Sequence, residues 1–259
     1  YIANAFQVAE KNIRKFHESQ IVNFGVIETM PGVSCFRQAR AIEKVGLYIP
    51  GGTAKLPSTV LMLAIPAQIA GCKEIILCTP PDKDGKVADI ILFAAKLCGV
   101  SKIFKVGGAQ AIFAMGYGTE TIPKVYKIFG PGNQYVTAAK MLVNLDGVAI
   151  DLPAGPTEVL VIADGEARAD FVAADLLSQA EHGKDSQVVL VCNDEKKANE
   201  ILKKVDLQLK VLPRKLIAEK ALENSFVLIV NDVNEAIDFA NQYAPEHLIL
   251  NVDNADSYV

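Results

Sequence analysis

Histidine is scarce in this chain. His17, His182 and His247 are the only three, and two of them follow a glutamate, in "SQAEHG" and "YAPEHL". Adjacent carboxylate and imidazole groups suit water activation and proton transfer, because both titrate near neutral pH with modest tuning. Glu246 and His247 come directly after Pro245. Proline pushes its preceding residue out of the helical region, so the pair is expected on a corner after the helix "VNEAIDFANQYA". Asp232 and Glu235 give that helix a capping pattern at its start. Such a corner fits a reactive pair, and equally a surface turn. In "ADFVAADLLSQAEHG", Asp175, Gln179 and His182 share one helical face at i, i+4 and i+7, with Gly183 as the expected C′ residue. An amide oxygen and an imidazole nitrogen one turn apart could form part of a metal site. The other reading is a solvated polar face, with His182 serving the helix C-terminus.

These groups need elements to hold them. From about Val45, near-continuous apolar strand patterns alternate with helical ones: "VGLYIP", "EIILCTP", "KIFKV" and "KVYKIFG", then "TEVLVIAD", "SQVVLVCND", "FVLIV" and "LILNV". That alternation predicts an α/β fold of two doubly wound, Rossmann-like units with mainly parallel sheets covered on both faces. The first 44 residues read as a helix, "NAFQVAEKNIRKFHESQ", followed by extended segments. Four strands end in small-residue turns, "YIPGG", "KVGGAQ", "IFGPGN" and "LPAGPTE". Glycine at a strand-to-helix turn can let a ligand approach the backbone, or can simply make a tight connection. The usual dinucleotide fingerprint is missing, because Tyr135 stands where its third glycine would be. One tension concerns the Glu246–His247 corner. Parallel sheets build their sites past strand carboxyl ends, and this corner precedes a strand. Either "LILNV" runs antiparallel, or the site lies at a domain boundary.

Composition narrows the class. Half of the 259 residues are hydrophobic, 22% are charged and the net charge is −4. A sizeable core is available, and the lack of a basic block argues against nucleic acid. Apolar runs are too short or too interrupted to span a bilayer, so a cytoplasmic protein is expected. The five cysteines form no C-x-x-C pair and mostly lie in apolar runs, as reduced buried thiols do. The first residue is Tyr1, and the closing "NVDNADSYV" reads as a helix start with little helix after it, which suggests a piece of a longer polypeptide.

From Val45 to Asp253 the chain closely resembles the histidinol dehydrogenase family. "IDLPAGPTEVLVIAD" with "LLSQAEHG" resembles one of its signatures, and "YAPEHL" the other. The resemblance implies oxidation of L-histidinol to L-histidine through an enzyme-bound aldehyde, using two NAD+ in turn, with the substrate held on Zn2+. Gln179 and His182 match zinc ligands of the family. His247 matches the base and Glu246 the residue that activates water. Thr157 falls where the family has a substrate-touching serine or threonine. Tyr48, Gln110 and Asn133 match the NAD+ positions. The resemblance further implies a homodimer, and a catalytic domain of residues 1–48 plus 157–259 into which an NAD-side domain, 49–156, is inserted. The family's remaining zinc ligands, an aspartate and a histidine, and its substrate-gripping tail lie further toward the C-terminus than Val259. The chain alone is thus expected to lack turnover. Two other readings stay open: an NAD-binding module without turnover, and an assembly fragment completed in trans.

Overall fold

The computed structural model describes residues 2–51, 55–153 and 157–259. The chain groups into two compact units, Tyr1–Ala154 and Gly155–Val259.

The first unit opens with α1 (Ile2–Glu18) and a two-stranded antiparallel hairpin, β1 (Val26–Met30) and β2 (Val33–Phe36). Sequence patterning gave that hairpin only as extended chain. Its turn contains Gly32 at φ 81°, in the left-handed region that glycine occupies without penalty. Helix α1 buries Phe6, with Ala9 and Ile13 beside it on the core side, and packs on α2 (Pro57–Ile69). The remaining elements are β3 (Lys44–Tyr48), β4 (Glu74–Cys78), α3 (Asp89–Leu97), β5 (Lys102–Phe104), α4 (Gly108–Tyr117), β6 (Lys127–Phe129), α5 (Gln134–Leu145) and β7 (Ala149–Ile150). The strands pair in parallel in the order β5-β4-β3-β6-β7. The chain starts at the centre, winds outward to β5, then crosses back to β6. This is a doubly wound sheet with its switch point between β3 and β6. Strand alternation decides which side chains meet which helices. Leu47 and Leu77 pack with Val60, Ile65 and Ala94 from α2 and α3. Tyr48, Ile76 and Ile128 pack with Ile112, Met115 and Val143 from α4 and α5.

The second unit repeats the plan with β8 (Glu158–Ala163), α6 (Ala169–Ala180), β9 (Gln187–Cys192), α7 (Glu195–Leu209), α8 (Lys215–Leu222), β10 (Phe226–Ile229), α9 (Val233–Tyr243) and β11 (His247–Asn251). All neighbours are parallel, in the order β10-β9-β8-β11. Val159, Val161 and Leu190 face α6, α7 and α8, while Leu160, Ile162 and Val191 face α9. Asp232 caps α9 by accepting from Glu235 N at 2.9 Å, as the capping pattern requires. A single 3-10 turn, Ala255–Tyr258, follows β11, so the helix start read near Asn254 is that one turn.

Cys78, Cys98 and Cys192 are buried thiols. Burial pushes Cys78 up to about 12 and Cys98 up to about 11, so neither is poised as a thiolate. Cys35 is exposed. Among the described residues no helix is long and apolar enough to cross a membrane.

Candidate functional site

In the second unit the candidate residues collect at the amino ends of the strands. Thr157 immediately precedes β8, and its carbonyl accepts from Gln187 N at 3.3 Å, where β9 begins. His247 is the first residue of β11 and pairs with Val159. Helix α6 leaves the carboxyl end of β8 and returns to the start of β9, so its last turn brings Gln179, and the turn just after it His182, to the same edge. The tension over the corner is settled for the strand: β11 runs parallel. His247 stands inside that strand rather than on the corner, and only Glu246 remains in the bend. These residues therefore sit at the sheet edge opposite to the one such folds ordinarily use.

The corner owes its shape to Ala244, which ends α9 in the left-handed region at φ 53°. As expected of the residue before a proline, Ala244 leaves the right-handed helical region; it does so as a left-handed cap that keeps the bond from Ala244 N to Ala240 O at 2.8 Å. Such a conformation costs a residue with a Cβ on the order of 1–2 kcal/mol, and surrounding contacts must hold it. One is the hydrogen bond from Tyr243 Oη to Gln187 Oε1, while Gln187 Nε2 donates to Asn224 O at 2.6 Å. Patterning did not single out this tie. His247 Nε2 lies 3.7 Å from Glu246 Oε1, and both side chains are about half exposed (53% and 46%). The carboxylate is close enough to attract a protonated ring, and both groups remain open to a substrate.

At the end of α6, His182 Nδ1 donates to Ser178 O at 2.8 Å. This is the contact expected of a histidine that serves the helix C-terminus. It also fixes the tautomer: with Nδ1 carrying the proton, the neutral ring presents Nε2 as a lone-pair donor, as a metal-binding histidine does. Gln179 is 7% exposed, yet Nε2 of its amide has no hydrogen-bond partner among the described residues. A buried polar end without a partner is costly, and turning the amide over would set its oxygen there. Gly183 does not take the left-handed C′ role expected of it. The helix runs out through Glu181 at φ −77° and a turn in which His182 N donates to Gln179 O at 3.1 Å. Asp175, on the same face, is partly buried, and desolvation raises its carboxyl above the ordinary range. Among the described residues no group of three or more His, Cys, Asp or Glu side chains converges as a metal would require. Gln179 and His182 fit as part of a zinc site by donor chemistry and tautomer, but do not complete one.

The first unit places its candidates at strand carboxyl ends, on either side of the switch point. Tyr48 is the last residue of β3, buried at 4% exposure, and its hydroxyl accepts from Gly108 N, at the start of α4, at 3.0 Å. Gln110 lies exposed in the first turn of α4. Asn133 caps α5, its Oδ1 accepting from Tyr135 N and Val136 N at 3.1 Å each. The cap uses the oxygen, so the NH2 group is what remains for a ligand. Two helix N-termini at a switch point suit a pyrophosphate. The glycines there are required by the protein's own packing. A Cβ on Gly51 would come 2.2 Å from Pro80 Cγ, one on Gly107 2.5 Å from Pro80 Cβ, and one on Gly130 2.0 Å from the Tyr48 carbonyl oxygen. In "LPAGPTE", residues 154–156 lie outside the described residues, as do residues 52–54 after "YIPG".

The family model described as histidinol dehydrogenase matches residues 1–259. The chain is 62% identical over 253 residues to a histidinol dehydrogenase of Bacteroides thetaiotaomicron, covering 98% of this chain and 59% of the relative. To a chloroplastic histidinol dehydrogenase of Arabidopsis thaliana it is 57% identical over 260 residues, covering 99% of this chain and 56% of the relative. It superposes on the crystal structure of histidinol dehydrogenase from Elizabethkingia anophelis with a TM-score of 0.97 at 58% identity, covering all of this chain and 60% of that one. A fold likeness alone extends to an NAD-dependent benzaldehyde dehydrogenase from Corynebacterium glutamicum, with a TM-score of 0.56 at 17% identity over 98% of this chain and 70% of that one.

Proposed function

The chain belongs to the histidinol dehydrogenase family, and from that premise we propose that it is part of a cytoplasmic enzyme oxidising L-histidinol to L-histidine, active as a homodimer. It spans less than two thirds of its relatives. The observation that carries the reading is the gathering of Thr157, Gln179, His182, Glu246 and His247 at one edge of the second sheet.

In this reading His247 is the general base. It takes the hydroxyl proton as the carbinol carbon gives up its hydride, and later the proton of the hydrated aldehyde in the second oxidation. Glu246 takes a proton from the water that adds to the aldehyde carbon. Thr157 touches the substrate and helps orient it. Tyr48, Gln110 and Asn133 hold the nucleotide. NAD+ would accept one hydride in each oxidation. A zinc ion held by Gln179, His182 and further ligands in the rest of the protein would lower the hydroxyl pKa and fix its orientation.

For the whole protein we propose the domain division that the family resemblance implies, residues 1–48 with 157–259 around an inserted 49–156. A full-length structure in which the first 48 residues group with 49–156, as the contacts of α1 and β3 within this chain favour, would overturn it. The activity is tested by following NADH absorbance with the full-length protein, L-histidinol and NAD+. Histidinol-dependent NADH with histidine as product is expected, and its absence overturns the proposal.

A further inference from the structure

Lys140 is a lysine in an apolar setting. It lies on α5 among Val136, Ala139 and Val143, and its side chain is 4% exposed. Its ammonium donates to Gly130 O at 3.0 Å and pairs with Asp151. The other oxygen of the same carboxylate accepts from Gly130 N at 2.7 Å. Both backbone groups of one glycine, just past the end of β6, are thus held by one ion pair of a buried lysine and a partly buried aspartate. Gly130 has φ 131°, and its face lies against the Tyr48 carbonyl so closely that a Cβ would not fit. Three residues later Asn133 starts the helix that carries Lys140. The turn 130–133 is therefore closed into a ring by the helix it opens.

A buried ion pair is poor support for stability, because well-packed apolar residues of similar volume are often as stable or more so. What it supplies here is direction. With Gly130 in this orientation the pair satisfies both of the glycine's backbone groups at once, which a turned peptide would forfeit.

We propose that Lys140 and Asp151 are the positioning pair of the nucleotide side, setting the separation of Tyr48 and Asn133 through Gly130. This rests on the reading of Tyr48 and Asn133 as NAD+ residues. Neither charged group touches the reaction.

The test uses full-length protein carrying Lys140→Met or Asp151→Asn. Lys140→Met keeps the length and removes the charge; Asp151→Asn keeps an acceptor for Gly130 N. Initial rates give KM for NAD+ and for histidinol separately, and melting curves report the folded fraction. The expected result is a KM for NAD+ raised about tenfold by Lys140→Met and less by Asp151→Asn, the scale of a lost well-placed hydrogen bond. KM for histidinol should stay within about twofold. A merely structural role would lower activity in proportion to folded protein and leave both KM values alone; that result overturns the proposal. Should Lys140→Met fail to fold, an unchanged KM for NAD+ in folded Asp151→Asn overturns it equally. Wild-type protein that shows no NAD+-dependent rate would sink the nucleotide reading itself, and the positioning role with it.

Discussion

His247 stands level with Val159 across the parallel pair β11 and β8, two residues along from the level of Thr157. The imidazole is thereby tied to a strand whose interior residues are fully buried, although the ring itself is half exposed. A base on a rigid element keeps its place when its chemistry is removed. His247→Asn in the full-length protein should lower kcat by roughly 10² to 10⁴, the usual range for a general base, with much less change in substrate binding. Near wild-type turnover would assign the base elsewhere.

Gln179→Ala and His182→Ala should each lower zinc content of the full-length protein, measured by metal analysis after dialysis. Each removes a donor, and His182→Ala also removes the tautomer-fixing contact to Ser178. Full occupancy in both variants would point to Asp175 as the next candidate.

Residues 1–259 by themselves should bind no stoichiometric zinc at micromolar metal and give no histidinol-dependent NADH. Stable zinc sites take three or four protein ligands, and among the described residues no group of three or more His, Cys, Asp or Glu side chains converges to add to the neutral pair Gln179 and His182. Calorimetric titration showing tight one-to-one binding would reveal a site among Asp175, Glu181, Glu246 and His247.

Gly130→Ala should destabilise the protein by about 3 kcal/mol or more, since its Cβ would overlap a backbone carbonyl that cannot swing aside. Denaturant midpoints of the two proteins give the value; a loss under about 1 kcal/mol would mean the 130–133 turn yields.

Asp175 gives a pH dependence. Burial raises its folded pKa above the unfolded value of about 3.9. The fold thus prefers the neutral carboxyl: the side chain costs nothing below the unfolded pKa, its cost sets in as pH rises past that value, and it is complete once pH has passed the folded one. Asp175→Asn should melt close to wild type near about pH 3 and above it by about pH 7. A difference that shrinks with rising pH would contradict the assigned cause.

The strands and helices were legible because burial on both faces leaves unbroken apolar runs such as "EVLVI" and "QVVLV". So were Asp232 as a cap and the glycines after the strands. The purpose of those glycines was not. Their close neighbours, Pro80 and the Tyr48 carbonyl, are distant in sequence, so spacing alone cannot separate packing from ligand approach. Gly183 reversed expectation, and the left-handed turn at Ala244 was not foreseen, for a related reason: which residue turns left-handed depends on where the chain must go next. Lys140 did leave a signal, a lone charge at the i+4 position of the apolar stripe begun by Val136. Its partner Asp151 could be found only by folding.

Pro80 lies against both Gly51 and Gly107, each so near that neither could carry a Cβ. Three positions far apart in the gene thus answer to one small volume of space. Over evolutionary time they are expected to behave as a single inherited character: lineages that keep the proline keep both glycines, and a lineage that acquires a side chain at either glycine must first have lost the ring at position 80.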